Sequence, residues 1–169
     1  RHEGKQVLFT PDFIPIEQRV KMFENEDYAA KTMDEEVTGE YFTANGERVR
    51  SKSEIIIADH LRRYGVVYKY EKPLELTVHG RRVTFYPDFT DMNSRTGRIY
   101  YLEHFGMMDN PDYCKHACDK IKLYCQHGII PSVNLILTYE TKQYPLSADK
   151  VEMILQEYFG CSRGNAVIG

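Results

Sequence analysis

Residues 82–106 constrain this chain more than any other stretch. They read as two strands joined by a turn, with one carboxylate near the end of each. The first predicted strand, 83–89, is Val83-Thr84-Phe85-Tyr86-Pro87-Asp88-Phe89. The second, 98–105, is Arg98-Ile99-Tyr100-Tyr101-Leu102-Glu103-His104-Phe105, closed by Gly106. Between them Asn93-Ser94-Arg95-Thr96-Gly97 supplies the residues that turns favour. Side chains alternate along a strand, so Tyr101, Glu103 and Phe105 share one face. A carboxylate among aromatics is costly to bury unless something compensates it. A divalent cation held jointly by Asp88 and Glu103 would do so: Mg²⁺, for which Mn²⁺ can substitute, takes hard carboxylate oxygens. The pair reaches one ion only in the right register.

The flanking sequence supplies the elements around this pair. A helix is expected over 51–64, stopped by Gly65. Ser51-Lys52-Ser53-Glu54 fits a capping box. Glu54 also shares a helix face with Ile57, Ala58 and Leu61, so it either caps the helix or points toward the metal; both readings stay open. A strand or an approach to one follows at 66–70. Strand 74–78 ends at the turn His79-Gly80, and 74–78, 83–89 and 98–105 are expected to form an antiparallel meander. A further helix opens at Asp109-Asn110-Pro111-Asp112 and runs to about His127. Tyr113, His116, Lys120 and Tyr124 fall on one of its faces. A buried apolar strand over 133–139, reached through that crossover, should lie parallel to its partner. An amphipathic helix over 147–159 closes the order, with Val151, Ile154, Leu155 and Tyr158 as its apolar stripe.

Pro87-Asp88, a hairpin turn and Glu103 after apolar residues together resemble the PD-(D/E)XK nuclease superfamily. The likeness covers residues 49–159 by element order. It implies an α/β fold: a restriction-endonuclease-like core with a mixed sheet, an antiparallel meander plus one parallel strand, flanked by helices. It also implies Mg²⁺-dependent hydrolysis of DNA phosphodiester bonds. Asp88 and Glu103 would be metal ligands, and Glu54 on the first core helix would complete the acidic cluster. One position departs from the pattern: a lysine is expected two residues after the glutamate, and Phe105 stands there. Some members supply that lysine from the following helix, which makes Lys120 the candidate catalytic cation. His104 points to the opposite face from Glu103 and reads as packing or substrate contact.

Length and composition suit one soluble domain of 169 residues with a substantial core. The division expected is an acidic helical extension over 1–47, the nuclease-like domain over 48–160 and a tail over 161–169. The extension holds a helix over 16–31, a short strand at Val7-Leu8-Phe9, and a second Pro-Asp-Phe at Pro11-Asp12-Phe13 that no hairpin follows. The chain starts at Arg1 and reads as a piece of something longer, with room for further domains. No apolar run is long enough to span a bilayer. Net charge is −3, but residues 48–82 carry nine Lys/Arg against four Asp/Glu. That block includes Arg81, Arg82 and Lys52, which could hold a phosphate backbone; the plain alternative is a solvated face. Cys114, Cys118 and Cys125 lie on one predicted helix with spacing unsuited to structural zinc. Reduced, at least half-buried cysteines in a cytoplasmic protein are the expectation. Two other classes remain in play: a nucleic-acid-binding module that lost its chemistry, and a protein-interaction module.

Overall fold

The computed structural model describes residues 14–33 and 39–160. The expectations for Val7-Leu8-Phe9, for Asp12 and for the 161–169 tail lie outside the described residues. Among the described residues the fold is mixed α/β, with four helices and eight strands. In chain order these are α1 (Ile16–Asn25), β1 (Tyr41–Phe42), β2 (Arg48–Val49), α2 (Lys52–Arg63), β3 (Val67–Tyr70) and β4 (Leu74–Val78). Then come β5 (Arg81–Phe85), β6 (Phe89–Met92), β7 (Ile99–Phe105), α3 (Pro111–Gln126), β8 (Leu135–Tyr139) and α4 (Ala148–Phe159).

The helices start where local chemistry supplies a cap. Ser51, Asn110 and Ser147 each accept backbone N–H groups of the first turn of α2, α3 and α4. The α2 helix ends at Arg63, and the chain turns away at Gly65, whose φ of +68° suits glycine. By contrast α1 is shorter than the 16–31 expected. It ends at Asn25, where the Lys69 ammonium binds the Glu24 and Glu26 carbonyls at 2.8 and 3.0 Å.

The main sheet has the order β3-β6-β7-β8: two antiparallel pairs and one parallel pair. One face packs on α2 and α4 through Ile57, Leu61, Phe89, Leu102, Ile136, Val151 and Leu155. On the other face Tyr101, Leu135 and Leu137 meet Tyr124 of α3 and the β4–β5 hairpin. Among the described residues no helix is long and apolar enough to cross a membrane.

The expected meander needs correction. Residues 83–89 are not one strand: β5 stops at Phe85 and β6 starts at Phe89. Pro87 has no N–H to give a ladder and breaks the run. Consequently β4 and β5 pair only with each other, as a separate two-stranded sheet. The third antiparallel strand beside β6 and β7 is β3, not 74–78. The 93–97 turn stands, with Asn93 Oδ1 accepting the Arg95 and Thr96 N–H groups.

Candidate active site

Strand register assembles an acidic row at one end of the sheet. In the β6–β7 ladder Phe89 faces Leu102, so the next pair outward is Asp88 with Glu103. In the β3–β6 ladder Tyr70 faces Phe89, so the next pair is Glu71 with Asp88. The Glu71 N–H donates to the Asp88 carbonyl at 3.0 Å and prolongs that ladder by one step. Glu71, Asp88 and Glu103 therefore stand side by side across three strands. Glu54 approaches from α2: its charge acts on Asp88, and Glu71 acts on Glu54.

A cavity of about 220 Å³ opens here, lined by Asp88, Glu103, Phe105, Tyr113, His116 and Lys120 among others. Glu103 is only 2% exposed. Its Oε1 receives the Tyr124 hydroxyl at 2.5 Å and the Lys120 ammonium at 2.7 Å. Burial raises the Glu103 pKa, and Lys120 and Tyr124 partly offset the rise. Part of Asp88 opens on the cavity, but its carboxylate lies deep among protein atoms. That desolvation, followed by the Glu103 charge, holds its pKa well above the usual range. The His104 N–H donates to Asp88 Oδ2 at 2.6 Å.

Lys120 is not the solvated surface lysine that most lysines are. Its side chain is 29% exposed, and the ammonium lies 6.0 Å from the Tyr124 ring centroid. Phe105, in the place where a lysine was looked for, is buried edge-on against Tyr113, and the Tyr113 hydroxyl accepts the Gly106 N–H.

Glu54 meets the capping expectation only in part. Ser51 Oγ caps its N–H at 3.2 Å, as a capping box requires. Its own carboxylate, however, takes the Arg50 N–H (2.7 Å) and the Tyr70 hydroxyl (2.9 Å) rather than the Ser51 backbone. Burial raises its pKa, and those two donors restrain the rise. Among the described residues no three His, Cys, Asp or Glu side chains converge into a ready-made ion site. Asp88 and Glu103 come together as a pair, with Glu54 beside them.

Glu71 and Arg50 were missed as site residues. Arg50 grips Glu71 with two hydrogen bonds, Nε to Oε1 at 2.6 Å and Nη2 to Oε2 at 3.2 Å. Glu71 follows β3 at a left-handed φ of +47° and reads as loop in the sequence. The β3–β6 register would have revealed it.

His104 reads as packing or substrate contact; it lines the cavity, and the structure shows what its ring packs against. Its ring contacts Thr138 Oγ1 (2.8 Å) and Glu140 Oε1 (3.0 Å), and Ser53 donates to the same Glu140 oxygen at 2.7 Å. This network ties the first turn of α2 to the ends of β7 and β8. Burial disfavours the charged Glu140, but the Leu146 N–H and the Ser53 and His104 contacts outweigh it and lower its pKa.

The basic block is not brought to the cavity. Arg81 and Arg82 are exposed on β5, opposite Val78 and Thr77. The Thr77 carbonyl contacts His127, at the end of α3 away from Tyr113 and Lys120. Lys52 is exposed at the start of α2 and does not line the cavity. Arg50, Lys69 and Lys72 are engaged within the fold, with Glu71, the α1 carbonyls and Glu26. Cys114 is half-buried, whereas Cys118 and Cys125 are exposed, against expectation, on the outer side of α3.

No family model matches the chain. Over 113 residues it is 32% identical to an uncharacterized protein of Methanocaldococcus jannaschii. The aligned stretch takes in 66% of this chain, and the chain spans 9% of the length of that relative.

Proposed function

We propose that the chain is a metal-dependent nuclease that hydrolyses DNA phosphodiester bonds on a restriction-endonuclease-like core. The observation that carries this reading is a mismatch of charge. Four acids, Glu54, Glu71, Asp88 and Glu103, are gathered toward one end of the sheet, near enough for their charges to act on one another, and two cations touch them. Arg50 holds Glu71 and Lys120 holds Glu103. Among the described residues Glu54 and Asp88 receive hydrogen bonds only from neutral donors: the Arg50 and His104 N–H groups and the Tyr70 hydroxyl. Burial first, and neighbouring carboxylates after it, disfavour the charged form of both acids and raise their pKa values, although the Lys120 charge works against the rise at Asp88. A divalent cation answers that deficit, and carboxylate oxygens beside an open cavity are the donors a hard ion takes.

The donor set fits such an ion. Asp88 and Glu103 would hold it, with Glu54 tuning the charge around it. When bound, the ion supplies Lewis-acid charge to a phosphate and lowers the pKa of water. The protein's own residues do the rest. Tyr124 and Lys120 both hold Glu103 Oε1, which fixes the carboxylate. The His104 N–H pins Asp88 Oδ2 in the same way. Lys120, a cavity-lining ammonium, is placed to orient water or to stabilise charge that builds on a phosphate. This supports the lysine having moved from the Phe105 position to α3. The element order from α2 to α4, with β4–β5 inserted between the first two core strands, supports the resemblance in the same way.

Cleavage of mixed duplex and single-stranded DNA with Mg²⁺ tests the reading. Wild type should cut, and Asp88→Asn should not. A folded wild type that cuts neither substrate with Mg²⁺ or Mn²⁺ would sink the proposal.

A further inference from the structure

Arg50 and Glu71 bond so as to close a chain between α2 and β6. The Arg50 N–H donates to Glu54 Oε2 at 2.7 Å. The Arg50 guanidinium binds both oxygens of Glu71, at 2.6 and 3.2 Å. The Glu71 N–H then donates to the Asp88 carbonyl at 3.0 Å. Each end of this chain is an acid of the candidate site, one from the helix and one from the sheet. Its middle is a bidentate ion pair whose planar fork fixes orientation as well as distance. Glu71 is 4% exposed and sits at a positive φ, a costly conformation for a residue with a side chain.

The ion pair is poorly explained by stability alone. A buried pair is often matched or bettered by apolar residues of similar volume. Left unpaired, the Glu71 carboxylate would also add another unneutralised charge beside Asp88 and Glu54. Arg50 both neutralises it and fixes where it lies.

We propose that Arg50 and Glu71 are positioning residues: their clamp sets the placement of Asp88 and Glu54, and so the affinity of the acidic pair for a divalent cation. The metal part of this inference rests on the nuclease reading; the placement of Asp88 does not. Groups that orient metal-binding carboxylates typically contribute about 10- to 100-fold in affinity or activity.

The test uses the double variant Arg50→Met with Glu71→Met, which replaces the pair by apolar side chains. Two readouts are taken: the His104 amide in ¹⁵N spectra without metal, and Mn²⁺ affinity by calorimetry. The His104 N–H donates to Asp88 Oδ2 at 2.6 Å, so its resonance reports where that carboxylate lies. The variant should melt near wild type, with the His104 amide moved upfield and Mn²⁺ bound about 10- to 100-fold more weakly. The amides of Ile136 and Leu155, on the opposite packing face, should not move. An unmoved His104 amide with unchanged Mn²⁺ affinity overturns the proposal. If wild type itself binds no Mn²⁺, the metal reading falls and the clamp is judged on the amide alone: displaced sustains it, unmoved overturns it. Should the double variant not fold, Glu71→Gln is judged by the same two readouts.

Discussion

Lys120→Met probes the contact on which the proposed chemistry most depends. The Lys120 ammonium lies 2.7 Å from Glu103 Oε1, and Glu103 is 2% exposed. Removing one partner of a fully buried pair costs about 3–5 kcal/mol. Lys120 keeps 29% of its side chain in solvent, so the pair is partly screened and the loss should be smaller, about 2 kcal/mol at neutral pH. For a chain of this length that lowers the melting temperature by roughly 4–8 °C. The pH dependence follows from Glu103. Burial already raises its pKa, and losing Lys120 raises it further. A carboxyl whose folded pKa lies above its unfolded value is tolerated below the unfolded pKa, about 4.3, and destabilises as pH rises through the folded value. Melting curves of wild type and variant should therefore coincide near pH 4 and diverge toward pH 7. In the cleavage assay the variant should be slower by on the order of a hundredfold or more. Melting curves that coincide from pH 4 to 7, with undiminished cleavage, would refute the placement of Lys120 against Glu103 and its role together.

Three other outcomes follow from particular side chains. Asp91 is fully buried on β6 and, among the described residues, neither carboxylate oxygen has a hydrogen-bond partner; burial holds its pKa well above the usual range. Its stability contribution is present below the unfolded carboxyl pKa and lost as pH rises through the folded one, so Asp91→Leu should gain about 1–3 kcal/mol at pH 7 and little near pH 4, read by chemical denaturation. Replacing Arg81 and Arg82 by Ala should flatten the salt dependence of DNA binding if the β5 surface touches phosphate, and an unchanged slope would remove that surface from the interface. Phe105 shares a strand face with Glu103, so Phe105→Lys added to Lys120→Met should restore part of the cleavage; no recovery in a folded protein would show that the two positions do not serve one point.

Much of this site was legible before any coordinates. Alternation along 98–105 put Glu103 on the face that meets α3, and helical spacing put Lys120 and Tyr124 on the face of α3 that meets Glu103. What escaped was long-range pairing. The apolar run 83–89 looked continuous, yet Pro87 carried the warning, and the break there frees β4 and β5 to fold as their own hairpin. Once β3 replaces 74–78 in the sheet, Glu71 falls into the row beside Asp88, which no local pattern announces. Asp91 was visible in principle. It lies two residues from Phe89 and so on the same core-facing side, but an acid there runs against the burial pattern and went unweighed. Net charge does not say which cations of the basic block are spent inside the fold, as Arg50, Lys69 and Lys72 are, and which, like Arg81 and Arg82, stay exposed.

The central claim is that Asp88 and Glu103 form a buried carboxylate pair whose charge Lys120, bound to Glu103, only partly offsets, and that the pair binds a divalent cation. Calorimetric titration of Mn²⁺ into wild type, Asp88→Asn and Glu103→Gln tests it most directly, with the melting temperature of each recorded without metal. Wild type should bind Mn²⁺ and both variants should lose that binding. Asp88→Asn should also melt no lower than wild type in the absence of metal, because the burial of a charge and its repulsion from Glu103 are both relieved. Mn²⁺ binding that persists unchanged in both variants, or Asp88→Asn that is strongly destabilised without metal, would contradict the account.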